Sequence, residues 1–306
     1  MKLKNIVLAS DLLDSSRVAL AHAAGVAKVT GATLTLLHVD EIAAMGVHDA
    51  PEWERYVENV LSVRNQRLDE ELAKLEEWGV DARVDVVAGT PMVKVVEYCQ
   101  EKKPDLIVLA KHGRRGIEGI LMGSVSRRIV RQTAIPALVV HAYADPEPGS
   151  FEQPVTYTHM ITPTDFSDDS HRGIVYTREL QKTFKTKVSV VHVVQPPLVL
   201  PGFPGDAPIP IPMRARAQME LNQTEQLRQI LKRNDIDWDT LVAVGNVPEN
   251  IVQLAEQVEA DLIVMPSHGH GRIHHAFFGS TTESVLELST LPVLVLPHEM
   301  LATVQG

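Results

Sequence analysis

The chain has 306 residues, of which 44% are hydrophobic and 22% are charged, so it can form about two globular domains with sizeable cores. Its formal net charge of −10 argues against a nucleic-acid surface and against a surface for anionic membranes, because both require a basic field. The single cysteine, Cys99, excludes an internal disulfide framework and fits a reducing compartment, so we expect a cytoplasmic protein.

Strand and helix patterns alternate through the first half of the chain. The first strand ends at Ser10-Asp11, after too few apolar residues for a signal peptide, and no later stretch reaches the length of a membrane span, so we expect no membrane insertion. The predicted strands are residues 5–10, 33–39, 82–87, 105–110 and 136–142, and the predicted helices are residues 15–29, 52–78, 92–102 and 124–133. Short connections between alternating elements imply right-handed crossovers, which predict a five-stranded, doubly wound parallel sheet.

The second half of the chain repeats the first. Asp11 and His38-Val39 recur 154 residues later as Asp165 and His192-Val193, whereas later positions recur 156 residues on: Asp105, Gly113, Gly123 and Pro136 become Asp261, Gly269, Gly279 and Pro292. The chain is therefore a tandem duplication, and the predicted fold class is α/β with two tandem Rossmann-like domains. We place these domains at residues 1–143 and 155–300, joined by a polar, proline-containing linker over residues 142–154.

The last strand of each half is predicted to join the two domains. An interface between two copies of one unit is pseudo-twofold, so one patch serves both sides. Residues 137–140 and 293–296 are apolar enough for this role, although burial of an edge strand under helices also explains their composition. We therefore expect an intramolecular pseudo-dimer, and the sequence leaves open whether two chains also form a homodimer.

A proline-rich insert interrupts the repeat after the second strand of the second half. It covers residues 195–212, QPPLVLPGFPGDAPIPIP, whose prolines exclude a helix or an inner strand. The insert is either a stiff connector or, because it carries several large apolar side chains, a flap over a cavity or a contact with another subunit.

In each half the fourth strand leads into a glycine loop and then into a helix. Gly113 and Gly269 stand just past the predicted strand end, and ten residues later Gly123-Ser124 and Gly279-Ser280 open the next helix. The free N–H groups and the hydroxyl at such a helix N-terminus favour an anion. One glycine of this kind would indicate a turn and nothing more, but the same spacing in both halves favours a shared function.

A carboxylate is expected beside each glycine loop. The first and fourth strands of such a sheet flank the point where the chain reverses direction, and ligands bind there beyond the carboxyl ends of the strands. Asp11 and Asp165 follow the first strand of each half. A carboxylate in this place suits an adenine amino group or a ribose hydroxyl; the alternative is a helix N-cap for the runs that begin at Asp14 and Ser167.

Other nucleotide and catalytic motifs are missing from the sequence. It contains no Gly-Lys-Ser/Thr, which excludes a P-loop, and Gly113-x2-Gly116-x2-Gly119 and Gly269-x-Gly271 both depart from the dinucleotide fingerprint. We find no nucleophile elbow and no paired carboxylates at the loops, so we expect a protein that is not an enzyme. Slow hydrolysis of a bound nucleotide would need no dedicated residue.

Two groups of polar residues stand close to the glycine loops. His268, His270, His274 and His275 crowd the second loop, but without helical pairing or a cysteine they favour solvated or phosphate-facing side chains over a metal site. The arginines at 127, 128 and 131 indicate an exposed helix face, with binding of an anion as the alternative.

The order of strand-Asp, strand ending in His-Val, then strand, Gly-x9-Gly-Ser and helix resembles the universal stress protein family, specifically its tandem-domain members. The resemblance covers essentially the whole chain. It implies Rossmann-like domains of the adenine nucleotide alpha hydrolase type, and a cytoplasmic, largely non-enzymatic protein that binds ATP with Mg²⁺ and supports survival under stress. By position, Asp11 and Val39 would contact adenine or ribose while Gly113, Gly123 and Ser124 hold the phosphates, and the second-half equivalents are Asp165, Val193, Gly269, Gly279 and Ser280.

The full family pattern is Gly-x2-Gly-x9-Gly-(Ser/Thr). This chain departs from it at the first glycine, which is Ala110 in one half and Pro266 in the other. Alanine keeps its N–H, whereas proline has none to offer a phosphate. We therefore expect the first half to bind ATP more tightly. Two other functions stay open: a carrier or scaffold that holds an apolar ligand under the proline-rich insert, and a weak ATP hydrolase.

Overall fold

The computed structural model describes residues 3–13, 16–41, 51–113, 124–143, 151–195, 212–269 and 279–303. The first half contains β1 (Asn5–Ser10), α1 (Arg17–Thr30), β2 (Thr33–Asp40), α2 (Pro51–Glu77), β3 (Ala82–Ala88), α3 (Pro91–Lys102), β4 (Leu106–Gly113), α4 (Ser124–Gln132) and β5 (Ala137–Tyr143). The second half contains β6 (His159–Pro163), α5 (Asp168–Phe184), β7 (Lys187–Val194), α6 (Met213–Arg233), β8 (Asp239–Val244), α7 (Val247–Gln257), β9 (Leu262–Pro266), α8 (Ser280–Leu288), β10 (Val293–Leu296) and α9 (His298–Leu301).

The ten strands form a single sheet with the order β3-β2-β1-β4-β5-β10-β9-β6-β7-β8. Within each half the five strands are parallel, with the first strand between the second and the fourth. This is the predicted doubly wound arrangement, and the fold class is confirmed.

The two halves join through their last strands. β5 and β10 pair antiparallel, with Leu138 opposite Leu294 at the centre of the register. These are the strands that the sequence analysis placed at the contact. Pairing them removes two unprotected sheet edges, because each edge supplies the hydrogen-bonding partner that the other lacks.

Helices cover both faces of the sheet and enclose two hydrophobic cores. One core lies under α1, α2, α5, α6 and α9 and includes Leu8, Leu138 and Leu294; the other lies under α3, α4, α7 and α8 and includes Val139 and Val293. Neighbouring strand residues contribute to opposite faces, because side chains alternate along a strand. Both cores continue across the β5–β10 joint, so the halves share their interiors.

The segment that follows the predicted linker packs against α1. Val155 donates its N–H to the carbonyl of Ala21 at 3.0 Å, and a Cβ built on Gly25 would overlap the Val155 carbonyl. Further along, the Tyr157 hydroxyl lies 2.8 Å from His22 Nδ1. The start of the second domain is therefore a segment that packs on the first half, and glycine inside α1 allows the close approach.

β4 is longer than the sequence predicts. β4 runs to Gly113, three residues beyond the predicted end, because β5 extends to Tyr143 and the two strands pair as far as those residues. Gly113 is therefore the last residue of a strand, which corrects its expected place in a loop.

Residues 196–211 of the proline-rich insert and 144–150 of the linker lie outside the described residues. None of the described helices is long and apolar enough to cross a bilayer.

Candidate functional site

The candidate site in each half lies at the carboxyl ends of the first and fourth strands. β1 is paired with β4, and β6 with β9, at the points where the direction of winding reverses. The strands diverge beyond such a point and leave a crevice at the sheet edge. The predicted site residues are expected to lie around this crevice.

Both aspartates anchor a tight turn at this edge. One oxygen of Asp11, Oδ1, accepts from the Leu13 N–H at 3.0 Å and from the Ser16 hydroxyl at 2.6 Å. Asp165 Oδ1 likewise accepts from the N–H and hydroxyl of Ser167, at 3.0 and 2.5 Å. The N-cap of α5 is Ser167 and not Asp165, since the Ser167 side chain accepts from the Ser170 N–H. The aspartates hold the turn that precedes the helix, and in each case Oδ2 makes none of these bonds.

The turn contains a residue with a left-handed backbone in both halves. Leu12 has φ of 60° and Phe166 has φ of 65°, a conformation that costs free energy for a residue other than glycine. Side-chain hydroxyls stabilise this conformation: the Ser10 hydroxyl accepts from the Leu12 N–H and the Thr164 hydroxyl from the Phe166 N–H, each at 3.1 Å. Sequence reasoning missed this device, although its signal was visible in the repeat of a hydroxyl residue before each aspartate.

A histidine at the end of the second strand ties that strand to the turn. The His38 Nδ1–H donates to the Ser10 carbonyl at 3.0 Å, and the His192 Nδ1–H donates to the Thr164 carbonyl at 2.8 Å. Burial lowers the pKa of His192, although the bond to Thr164 opposes this effect. The next residues, Val39 and Val193, are buried, 8% exposed, at the same edge. The repeated His-Val therefore places an apolar surface beside each aspartate turn.

Asp165 and Gly269 lie in direct contact across the crevice. A Cβ built on Gly269 would overlap Asp165 Oδ2, so a side chain at position 269 would force that carboxylate to move. Asp165 Oδ2 is the oxygen that does not hold the turn. The structure thus brings together the two residues of the second half that were predicted independently, one from each flanking strand.

Gly279 and Ser280 stand at the start of α8, next to the same glycine loop. The Gly279 N–H donates to the Ser267 carbonyl at 2.9 Å, and a Cβ on Gly279 would lie 3.0 Å from that oxygen. Ser280 is exposed at the first turn of α8, whose leading N–H groups have no partner within the helix. All five predicted residues of the second half therefore lie near the carboxyl ends of β6, β7 and β9, and Asp165 and Gly269 are in direct contact there.

The first half shares the attachment of the helix to the fourth strand, but Gly113 is still paired within β4 whereas Gly269 lies beyond the end of β9. The Ser126 hydroxyl donates to the Ala110 carbonyl at 3.0 Å, as Thr282 does to the Pro266 carbonyl. These bonds fix the start of α4 and α8 against the fourth strands. Asp11, Val39, Gly113 and the backbone of Ser124 occupy the expected edge, while Gly123 lies outside the described residues.

Two further residues lie near these sites, and only one of them, His268, was singled out from the sequence. Burial raises the pKa of Glu71 in α2 to about 7; Arg17 opposes the shift and the Asp11 carboxylate adds to it. In the second half, His268 Nδ1 lies 2.9 Å from the Ser267 hydroxyl. A buried carboxyl on a helix that is otherwise highly charged gives no sequence signal, because only the fold shows which face it occupies.

Within the described ranges, no group of three or more histidine, cysteine or carboxylate side chains could hold a metal ion. His270, His274 and His275 lie outside those ranges. The expectation about these three histidines stays a prediction.

The arrangement joins two kinds of recognition in one crevice. A carboxylate oxygen at one wall accepts hydrogen bonds from amino or hydroxyl groups, while the N-terminus of α8 attracts negative charge at the other. A ligand that matches both carries donor groups at one end and an anion at the other.

The chain was compared with families of known proteins. The model described as the universal stress protein family matches it twice, over residues 2–141 and 156–297. A universal stress protein of Methanocaldococcus jannaschii is 34% identical over 139 residues, which cover 45% of this chain and 81% of the relative. One of Mycobacterium tuberculosis is 29% identical over 236 residues, which cover 73% of this chain and 72% of the relative.

The fold also has a solved counterpart over almost its full length. The crystal structure of a universal stress protein from Archaeoglobus fulgidus superposes with a TM-score of 0.71 at 20% sequence identity, covering 97% of this chain and 99% of that one. At this level of identity the likeness concerns the fold.

Proposed function

Because the chain belongs to the universal stress protein family, we propose that it binds an adenine nucleotide, ATP with Mg²⁺, and serves as a non-enzymatic binding and sensing module in the stress response. The contact between Asp165 and Gly269 carries this proposal. It joins a carboxylate and a side-chain-free backbone at the crevice where parallel sheets bind nucleotides.

Each group in the crevice suits one part of the nucleotide. Asp165 Oδ2 is the acceptor for the adenine amino group or a ribose hydroxyl, and Val193 offers apolar surface to the base. Gly269 and Gly279 leave room for the phosphates, and Ser280 at the start of α8 offers its N–H and hydroxyl. Asp11, Val39, Gly113, Gly123 and Ser124 have the same roles in the first half.

The remaining parts of the proposal follow from what the site offers. Mg²⁺ would be held by the phosphates and water, as it usually is in nucleotide sites, because the described residues supply no cluster of ligands. We propose no catalytic residue, because the sequence contains no nucleophile elbow. The family's role in stress also leads us to propose a cytoplasmic location.

Replacing each aspartate by asparagine tests the site with little change to the fold. In Asp165→Asn the amide oxygen can keep the bonds from Ser167, while an NH₂ group replaces the acceptor that faces Gly269. Loss of one hydrogen bond to a charged group is worth about 1.5–3 kcal/mol, so affinity for MgATP should fall about ten- to a hundredfold at the altered site. Isothermal titration calorimetry on the wild type, Asp11→Asn, Asp165→Asn and the double variant measures this.

The matched control is Asp237→Asn, which changes an exposed carboxylate in the turn before β8. It should bind MgATP like the wild type. If the double variant also binds like the wild type, or if the denatured wild-type protein releases no adenine nucleotide and the refolded protein takes up none, the proposal fails.

The two aspartate variants also compare the halves. Pro266 has no N–H, whereas Ala110 has one, so we expect the first half to be the tighter site and Asp11→Asn to remove the tighter binding. If Asp165→Asn removes the tighter site instead, the order of the halves is the reverse of this expectation.

A further inference from the structure

Four charged side chains connect α4 of the first half to α8 of the second. Arg127 lies 3.0 Å from Glu283 and 2.6 Å from Glu287, and Arg131 lies 2.8 Å from Glu283. The side chains are 25–38% exposed, so solvent screens these pairs less than it screens pairs on an open surface. Arg127 and Arg131 therefore have carboxylate partners across the joint, while Arg128 and Arg131 are exposed, as expected for this helix face.

The two arginines and the two glutamates lie at equivalent positions of the repeat. Adding the offset of 156 to 127 gives 283, and adding it to 131 gives 287. The arginines and the glutamates thus occupy the same two positions of the duplicated unit. Arg127 meets both its own counterpart and the counterpart of Arg131, which is the contact pattern of a twofold interface.

Equivalent positions with opposite charge make the interface unsuited to two identical halves. Two first halves joined in this way would place Arg127 against another Arg127 and against Arg131. Two second halves would place Glu283 against another Glu283 and against Glu287. Like charges in contact oppose association, whereas the observed pairing gives each of the four side chains a partner of opposite charge.

A buried lysine adds to this asymmetry. Lys111 at the end of β4 is 2% exposed, and its Nζ donates to the carbonyls of Leu286 and Ser289 at the C-terminus of α8. A cation is favoured at that end of a helix. Its counterpart in the second half, 156 residues later, is Ser267, whose hydroxyl lies beside His268 instead. The first half therefore supplies the cations of the joint.

We propose that the α4–α8 face is a heterotypic recognition surface whose partner is a second half of this chain and never a copy of the same half. The first half presents arginine and lysine, and the second half presents glutamate and helix carbonyls. The duplicated units are no longer interchangeable, and neither half can extend the sheet by pairing with its own kind.

Charge reversal in the full-length chain tests the proposal, because it reproduces the rejected pairings inside the native joint. Arg127→Glu with Arg131→Glu gives the glutamate-to-glutamate contact of two second halves. Glu283→Arg with Glu287→Arg gives the arginine-to-arginine contact of two first halves. Each double variant should melt roughly 4–8 °C below the wild type, and the quadruple variant, which restores opposite charges, should recover to within about 2 °C.

Two further measurements separate charge pairing from a general loss of packing. Raising NaCl from about 0.05 M to about 0.5 M should narrow the melting gap of both double variants, because salt screens repulsion. The control Lys182→Glu with Arg216→Glu changes the net charge as the Arg127→Glu, Arg131→Glu variant does, but it breaks pairs within single helices and should melt within about 2 °C of the wild type. The proposal is overturned if the quadruple variant is no more stable than the double variants, or if the double variants melt like the wild type.

Discussion

Glu71 shows how a single side chain can couple the first half to pH. Its carboxyl is 6% exposed and its pKa is about 7, whereas a glutamate in the unfolded chain has a pKa near 4.3. The folded state therefore holds the proton more tightly than the unfolded state does. The stabilisation that this proton provides is complete below about pH 4.3, is lost as pH rises toward 7, and changes little above that.

Glu71→Gln should remove this dependence. The amide is neutral at every pH, so the variant should be more stable than the wild type at pH 8, by up to about 3 kcal/mol, and close to it at pH 4. Urea unfolding of both proteins at a series of pH values gives the difference directly, and the titration of all other groups cancels. A difference that stays constant between pH 4 and pH 8 would show that Glu71 ionises normally in the folded protein.

Some residues of the site could be predicted from the sequence, and the reason is the duplication. The positions of Asp11, Asp165 and Gly269 follow from a repeat that links strand ends to loops. The contact between Asp165 and Gly269, and the burial of Glu71, depend on distances between elements far apart in the chain. No local pattern encodes such distances.

Glycine has opposite consequences in two helices of this fold. Gly25 in α1 packs against the segment that follows the linker, where an added Cβ would overlap the Val155 carbonyl. Gly173 in α5 faces Pro266, whose Cδ would lie 3.6 Å from such a Cβ, an ordinary contact distance. Helix propensity alone favours alanine over glycine by about 1 kcal/mol at either position.

We expect Gly173→Ala to stabilise the protein by about 1 kcal/mol and Gly25→Ala to destabilise it. In Gly25→Ala the new methyl must displace the segment that leads from Val155 to Tyr157. Chemical denaturation of the two variants beside the wild type measures both effects, with Gly173→Ala as the control for propensity. If both variants gain stability equally, the segment around Val155 does not pack closely on α1 in solution.

The boundaries of the elements were predictable to within a few residues, with one informative exception. Apolar runs and helical periodicity define β1, β2 and the long helices, because each reflects burial on its own. The extension of β4 to Gly113 follows from its partner β5, and the ion pairs of α4 follow from α8 in the other half. Features that a second element imposes are absent from the first element's sequence.

The described elements on either side of the proline-rich insert are a paired strand and a helix whose first turns are not buried. β7 before it is paired with β8 up to Val194, and the first buried residue of α6 after it is Leu227, while Met213 is 88% exposed. Replacing residues 198–211 by a short Gly-Ser segment should therefore leave both halves folded and the melting temperature within a few degrees of the wild type.

Ligand retention or oligomer size should change in this variant instead, and light scattering and nucleotide titration measure the two quantities. The matched control replaces residues 42–50, which follow β2 at the corresponding place in the first half. Loss of cooperative unfolding in the first variant alone would show that the insert belongs to the core.

The covalent joint between the halves makes their pairing independent of protein concentration. Two separate chains that met through β5 and β10 would come apart on dilution below their dissociation constant, and each would then expose a sheet edge and the open ends of both cores. In this chain a short linker keeps the partner strand at an effective concentration of about millimolar, whatever the abundance of the protein. The complete ten-stranded sheet can therefore persist when only a few copies are present.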